Sequence, residues 1–315
     1  MNYPGVLKKI VSVIACGIIV STLIIAFSDV RNISDVICQM DVRCIPLILI
    51  LVPLNYCIKC LRYHYYLKLA NIHVSVKDEI ITLLASSVMV ITPGKVGEML
   101  LRGYLLKQRG YAVPMLTICA MTLADRLTEG LAMAILAAVT FSKDINYWII
   151  LIIVTVLVVM AAVLQNKRLF LKILQYATRQ LPRLENKLAT VRRTYEQFYI
   201  IFKIVPMAVS VLLGTISCIC EAGVIYFTVI SMGSSVSLQN AVFAFSFSGI
   251  IGAVSMIPGG IGIADGTIMG LLIWCGLEKT TAGMVTIISR FSTIWLGVLV
   301  GCGLLLIIHP LQESE

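Results

Sequence analysis

Apolar residues in this chain come in long blocks, without the spacing that would mark one wet face of a helix or strand. In order the blocks are Ile10–Phe27, Ile45–Ile58, Ile80–Thr92, Val113–Phe141, Ile145–Leu164, Ile204–Ile230, Val242–Ile257, Ala264–Trp274 and Thr281–Ile308. A helix that is apolar all round has no face to offer water, and about 20 such residues cross a membrane core of ~30 Å. The pattern predicts an all-α polytopic membrane protein with about six full transmembrane helices. Composition agrees: 59% of the 315 residues are hydrophobic and 13% charged, with a mean hydropathy of +0.97. Soluble domains run nearer ~45–50% and ~25%. The crossings use up most of the chain, so a single membrane domain over 1–315 is expected, without an outlying catalytic domain of ~100–200 residues. The first block follows Lys8 and Lys9 but has no convincing small-x-small cleavage site, and it reads as an anchor helix.

The net charge of +9 is distributed by topology, so it is not a nucleic-acid footprint. Lys8 and Lys9, then Lys59, Arg62, Lys68 and Lys77, then Arg102, Lys107 and Arg109, and finally the segment 165–203 carry most of it. The loops between them are poor in Lys and Arg. The positive-inside rule then places both termini in the cytoplasm of a multi-pass plasma-membrane protein. Within 165–203, Phe170, Leu174, Tyr176, Leu188, Tyr195 and Phe198 recur at helical spacing among the basic residues. That suits an amphipathic helix lying on an anionic leaflet, or charge that simply enforces topology. The ten cysteines fall mostly inside apolar blocks, Cys57-x-x-Cys60 has no second pair, and His64, His73 and His309 lie far apart. No metal site and no cofactor are expected. Cys38 and Cys44 would pair only in a loop facing an oxidising space, and Asn32-Ile33-Ser34 fits a glycosylation acceptor.

Two regions resist reading as ordinary spans. Ile80–Thr92 is too short to cross and runs into Pro93-Gly94-Lys95-Val96-Gly97, after which the chain returns to the basic side at Arg109. Val242–Ile257, Pro258-Gly259-Gly260-Ile261-Gly262 and Ala264–Trp274 have the same shape with both ends on the other side. Each motif precedes a long apolar helix with one arginine: Arg126 lies 33 residues after Pro93, and Arg290 lies 32 after Pro258. Matched motifs on oppositely directed re-entrant hairpins predict an inverted internal repeat, with repeat one about 45–141 and repeat two about 204–308. Interrupted segments at corresponding places point to a transporter site near the midplane. Pro lacks an amide donor and Gly admits unusual backbone angles. The breaks at Pro93-Gly94 and Pro258-Gly259 thus leave amides free around Gly97, Gly260 and Gly262, at half-helix N-termini that attract anions. Packing kinks are the plainer reading of the same residues.

The ionisable residues inside the expected bundle are Lys95, Glu98, Asp125, Arg126, Glu129, Glu221, Asp265 and Arg290. Each would cost ~2.5–3.5 kcal/mol at a bilayer centre, so each must pair or line a wet cavity. Arg126 with Glu98 and Arg290 with Asp265 are the expected pairs, one per repeat. Lys95 is a phosphate contact or a snorkelling structural lysine, and Glu221 a ligand or an interhelical hydrogen-bond partner. Asp125, Arg126 and Glu129 either lock helices or serve the site.

At these residues the sequence resembles the flippase-like membrane family that includes the N-terminal transmembrane half of lysylphosphatidylglycerol synthase. The resemblance covers nearly the whole chain and rests on Thr92-Pro93-Gly94-Lys95-Val96-Gly97-Glu98 followed by Arg102, and on Ile257-Pro258-Gly259-Gly260-Ile261-Gly262 followed by an acid. Asp265 stands where the family usually has Glu, and Asp125-Arg126 where Glu-Arg is common. The resemblance implies a lipid translocase with no enzyme activity and a phospholipid or polyprenyl-phosphate lipid as cargo; because the last apolar block lies close to residue 315, the synthase's soluble synthetic domain is not expected here. Lys95, Arg126 and Arg290 would meet the headgroup, while Glu98, Asp125, Glu129, Asp265 and Glu221 would hold the cations or carry a coupling proton. A membrane-embedded lipid-modifying or glycosyl-transferring enzyme, and an accessory subunit of a lipid or glycan synthase, are the alternatives. A homo-oligomer is compatible with either.

Overall fold

The computed structural model describes residues 40–90, 92, 96–140, 147–180, 189, 192, 195, 199–255 and 257–308. The expected first span, Pro93, Gly94, Lys95, the Cys38 pairing, the Asn32 acceptor and most of 181–198 lie outside the described residues. Every regular element among those described is helical.

Helix α1 (Ile45–Leu69) follows a short turn at Val42–Cys44, where the Asp41 carboxylate accepts from the Arg43 amide at 2.9 Å. It runs through Pro53 and ends at Asn71, whose φ of 55° is a left-handed conformation that Asn tolerates at helix ends. The hydropathy pattern stops this span at Ile58 and leaves Lys59 and Arg62 in a loop. In the structure the helix continues about three more turns, and both cations lie within it. A charge ends an apolar run, but it does not end a helix whose polar groups find partners in the bundle.

Ser75 caps α2 (Val76–Ser86) by accepting from the Asp78 amide at 3.2 Å, and Asp78 and Glu79 occupy its first turn, where the helix dipole favours anions. After a 3-10 turn at Ser87–Met89 the chain resumes as α3 (Val96–Gln108). At ~1.5 Å per residue these helices are about 16 and 20 Å long, short of a ~30 Å core. Next come α4 (Met115–Val139), α5 (Tyr147–Gln165) and α6 (Lys167–Gln180). On α6, Lys167, Arg168 and Lys172 are exposed, while the Phe170 ring stacks on Tyr195 with 3.9 Å between centres.

Helix α7 (Ile204–Ser231) leads to α8 (Leu238–Val254) and α9 (Ile263–Trp274), which break at Pro258–Gly260. Gly259, Gly260 and Gly262 there take φ of 64°, 65° and 85°, angles that only glycine adopts cheaply. Finally α10 (Lys279–Arg290) passes through a π turn at Phe291–Trp295 into α11 (Leu296–Ile308). Three stretches among the described residues are long and apolar enough to cross a membrane: Val42–Leu69, Ile204–Ser231 and Lys279–Ile307. Helix α4 has comparable length but carries Asp125, Arg126 and Glu129 in its middle.

Helix α7 is central, packing on α1, α4, α8 and α10. Small residues bring α1 close: a Cβ added at Gly214 would lie 3.0 Å from Arg62 Nη1, and one at Gly223 2.9 Å from Leu51 Cδ1. Such residues let helix backbones approach in lipid, where dispersion and hydrogen bonds drive association. Ile225, Val229, Phe245, Ile268, Leu272 and Val285 fill the space among α7, α8, α9 and α10. The outside is apolar instead of polar: Leu49 is 65%, Val139 74% and Leu306 75% exposed. Contacts are also exchanged between the halves, since α4 packs on α8 and α11 on α2.

Candidate functional site

Four polar residues of α1, Asn55, Lys59, Arg62 and Tyr66, recur at intervals of four, three and four, so they line one stripe of the helix. That stripe faces α7 and α4. Lys59 Nζ lies 2.7 Å from Glu221 Oε1 on α7, and Asn55 Nδ2 donates to the same oxygen at 2.6 Å. Ser217, one turn before Glu221, donates to Asn55 Oδ1. Arg62 pairs with Asp125 of α4 at 2.6 Å, and the Tyr66 hydroxyl meets Thr128 Oγ1 at 3.1 Å.

On α4 the charges cluster within one turn. Arg126 donates to Asp125 Oδ2 at 2.8 Å and to Glu129 Oε2 at 2.5 Å. Asp125 is therefore shared between two guanidiniums, one from each of two helices. Helix α3 adds Arg102, which donates to Glu98 at 2.5 Å and to Ser86 Oγ at 3.3 Å and lies 4.7 Å from the centre of the Tyr63 ring. Glu98 also lies within electrostatic reach of Arg126. The cluster thus sets Lys59, Arg62, Arg102 and Arg126 against Glu98, Asp125, Glu129 and Glu221, four charges of each sign.

The second half holds a smaller copy of this arrangement. Asp265, in the first turn of α9, accepts from the Gly262 amide at 2.7 Å through Oδ2 and from Arg290 Nε through Oδ1. One carboxylate therefore ties the broken turn to α10. The helices bearing Arg126 and Arg290 both pack on α7.

Several expected features take a different form. Glu98 and Arg126 do not form the expected hydrogen-bonded pair. Arg102, one turn along the same helix, reaches Glu98 first, and Arg126 is taken by its own helix. The amides expected to be free at the two breaks have partners within the chain: Gly97 N donates to Thr92 Oγ1 at 2.8 Å, Gly260 N to Ile257 O at 2.8 Å, and Gly262 N to Asp265. Short hydroxyl and carboxylate side chains cap these termini where a ligand was expected to do so. Lys95 lies outside the described residues. Lys59, Arg62, Asn55 and Ser217 were not singled out from sequence, although the regular stripe on α1 carried the signal. Arg102 was counted only as loop charge and as part of the family motif, yet it is 6% exposed.

Long apolar helices on the outside and paired charges within define a polytopic integral membrane protein. The chain belongs to the family described as the lysylphosphatidylglycerol synthase TM region, whose profile matches residues 14–301. It is 23% identical over 325 residues to a UPF0104 membrane protein of Pyrococcus horikoshii, covering 94% of this chain and 96% of that one. A UPF0104 membrane protein of Methanothermobacter thermautotrophicus is 23% identical over 109 residues, 35% of this chain and 31% of its own length.

Proposed function

We propose that this protein moves a phosphate-containing lipid headgroup across the plasma membrane, the lipid being a phospholipid or a polyprenyl-phosphate-linked molecule that is not covalently changed. The observation that carries this reading is the charge-balanced cluster on α1, α3, α4 and α7. Its cations are held by carboxylates, but not completely: Arg62 Nη1, Arg126 Nε and Arg290 Nη2 are buried without a hydrogen-bond partner among the described residues. Unsatisfied buried donors are costly, and a phosphate supplies several strong acceptor oxygens. A phosphate also matches the forked guanidinium as a carboxylate does, so it can replace Asp125 or Glu129 on an arginine without leaving a bare charge.

In this reading Lys59, Arg62, Arg102 and Arg126 contact the headgroup in one half and Arg290 in the other, and Lys95 is a further headgroup contact. Glu98, Asp125, Glu129, Glu221 and Asp265 hold the cations when no lipid is present or carry a coupling proton. The exchanged packing of α4 on α8 and of α11 on α2 supports an inverted repeat, and rocking of its halves would open the cluster to each side in turn. The termini and the basic segment 165–203 lie on the cytoplasmic side in this reading.

The test is a vesicle assay of headgroup accessibility with a fluorescent phospholipid and a membrane-impermeant quencher. Wild-type protein should speed exchange between leaflets, and an Arg126→Ala/Arg290→Ala variant with an unchanged melting profile should not. Equal exchange by both would overturn the proposal, as would a change in the mass of the labelled lipid.

A further inference from the structure

A second feature lies on the opposite side of α1 from the ion cluster. Pro53, Cys57 and Leu61 of α1, Leu84 of α2, and Leu296 and Val300 of α11 line a groove of about 590 Å³. This volume falls in the ~300–1,000 Å³ range of ligand sites, and the lining is almost wholly apolar. Its rim is open, with Leu61 55% and Ile80 40% exposed.

The shape of the groove identifies its occupant. From Val52 to His64 it follows α1 for about 18 Å at ~1.5 Å per residue, close to half of a ~30 Å hydrocarbon core. It begins at the eighth of the 25 residues of α1 and reaches the polar His64 five residues before that helix's C-terminal end, so its length suits a chain one leaflet long. The floor is Tyr56, whose hydroxyl donates to Thr293 O at 3.5 Å. Gly297 makes room for it, since a Cβ there would lie 2.1 Å from the Tyr56 oxygen. Lys59 Nζ lies 5.7 Å from the Tyr56 ring centre, so this ring separates the groove from the ion cluster.

The mouth, in contrast, is polar and cationic. His64 lines it and pairs with the buried Glu79 carboxylate at 2.9 Å. Lys68 follows His64 by one turn on the same face of α1 and is exposed, as is Lys77 beside the lining residue Val76. A narrow apolar slot one leaflet deep, topped by lysines, fits a chain with an anionic head.

We infer that this groove binds one acyl chain of an anionic phospholipid from the leaflet that meets the C-terminal end of α1, with the phosphate at His64, Lys68 and Lys77. This site goes beyond the translocation reading and stands whether or not the headgroup crosses, because its test reads binding alone.

The full chain would be reconstituted in phosphatidylcholine vesicles containing phosphatidylglycerol with a photoactivatable diazirine on one acyl chain. Crosslinks should map to the peptides around Cys57 and Val300. Cys57→Trp, which fills the slot from an exposed position, should reduce them at least about tenfold, because an indole displaces several chain methylenes. Leu212→Trp, on the exposed side of α7, should leave them unchanged. Lys68→Glu/Lys77→Glu should abolish the preference for phosphatidylglycerol over an equivalent diazirine phosphatidylcholine while leaving chain labelling in place. Labelling spread evenly over the groove and the Leu212 face, indifferent to Cys57→Trp, would mean bulk lipid only and would overturn the assignment. So would a crosslink joining residues 10–27 to Cys57, which would put the chain's own apolar segment in the slot. An anionic preference that survives the double charge reversal would overturn the placement of the headgroup.

Discussion

Arg62 of α1 reaches Asp125 of α4 at 2.6 Å, and the arginine side chain is only 2% exposed. A guanidinium so deeply placed is tolerable only because the carboxylate meets it and because Gly214 of α7 leaves space for it. Removing its charge while keeping its apolar stem tests that dependence. Arg62→Met should destabilise the protein by about 1–3 kcal/mol, because Asp125 keeps Arg126 but the oxygen facing Arg62 loses its donor. Lys68→Met, on the exposed face of the same helix, should stay within ~0.5 kcal/mol. Denaturant titration in mixed micelles checks both, and similar values for the two would show that Arg62 is not held by Asp125.

The Lys59–Glu221 pair predicts a rescue. Glu221→Leu takes away the carboxylate that the half-buried Lys59 ammonium touches and orphans the buried Asn55 amide, and it should cost about 1–3 kcal/mol. Adding Lys59→Met to that variant should recover the part of the loss due to the unpaired ammonium, leaving the part due to the Asn55 amide. If the losses simply add, the two residues are not energetically coupled.

At the second break the glycines should separate by mechanism. Gly262 has open space where a Cβ would point, but its φ of 85° with ψ of −52° lies outside the left-handed helical well, so Gly262→Ala should cost more than the ~1–2 kcal/mol of ordinary left-handed strain, with no clash. Gly260 has φ of 65°, and an added Cβ would lie 3.3 Å from Gly252 Cα and 3.4 Å from Ala264 Cβ. Gly260→Ala should therefore lower the unfolding temperature by more than its left-handed strain alone would, because a clash adds to it. A Gly260→Ala variant that melts with the wild type would rule out the close α8–α9 contact.

Asp78, in the first turn of α2 and outside the three crossing stretches, offers a pH test. Burial pushes its carboxyl up, but hydrogen bonds from Tyr111, Ser75 and Arg109 outweigh that and hold it below its ordinary value. A carboxylate with a depressed folded-state pKa contributes stability that is present above its unfolded value and lost as pH falls through the folded one. The contacts of Asp78 with Arg109 and Tyr111 should therefore persist at neutral pH and weaken only below about pH 4. Hydrogen exchange at the α3–α4 junction should rise there in the wild type, and in Asp78→Asn it should already be high at pH 7. An unchanged profile in the variant would remove Asp78 from the account.

The elements that depend on local chemistry were legible along the chain. Apolar blocks became helices, and at Pro258-Gly259-Gly260 helix gave way because those residues alter the backbone wherever they stand. The charge partners were legible only in part. Asp265 lies beside Arg290, but Glu98 went to Arg102 because a partner one turn away on the same helix needs no tertiary arrangement to reach it. Lys59 and Arg62 were read as loop charges, since an apolar run says where hydropathy ends and nothing about where a helix ends.

Sequence alone therefore determined that this is a helical membrane protein with an interrupted helix in its second half and charges that must be neutralised. Those properties follow from the transfer cost of each residue and the backbone freedom of each glycine and proline. Tertiary structure decided the pairs that α1 makes with its neighbours, Lys59 with Glu221 and Arg62 with Asp125. Asn55 and Glu221 are 166 residues apart, and they meet only because Gly214 and Gly223 let α1 lie close along α7. Hydropathy sums over neighbours in the chain, whereas an ion pair depends on neighbours in space.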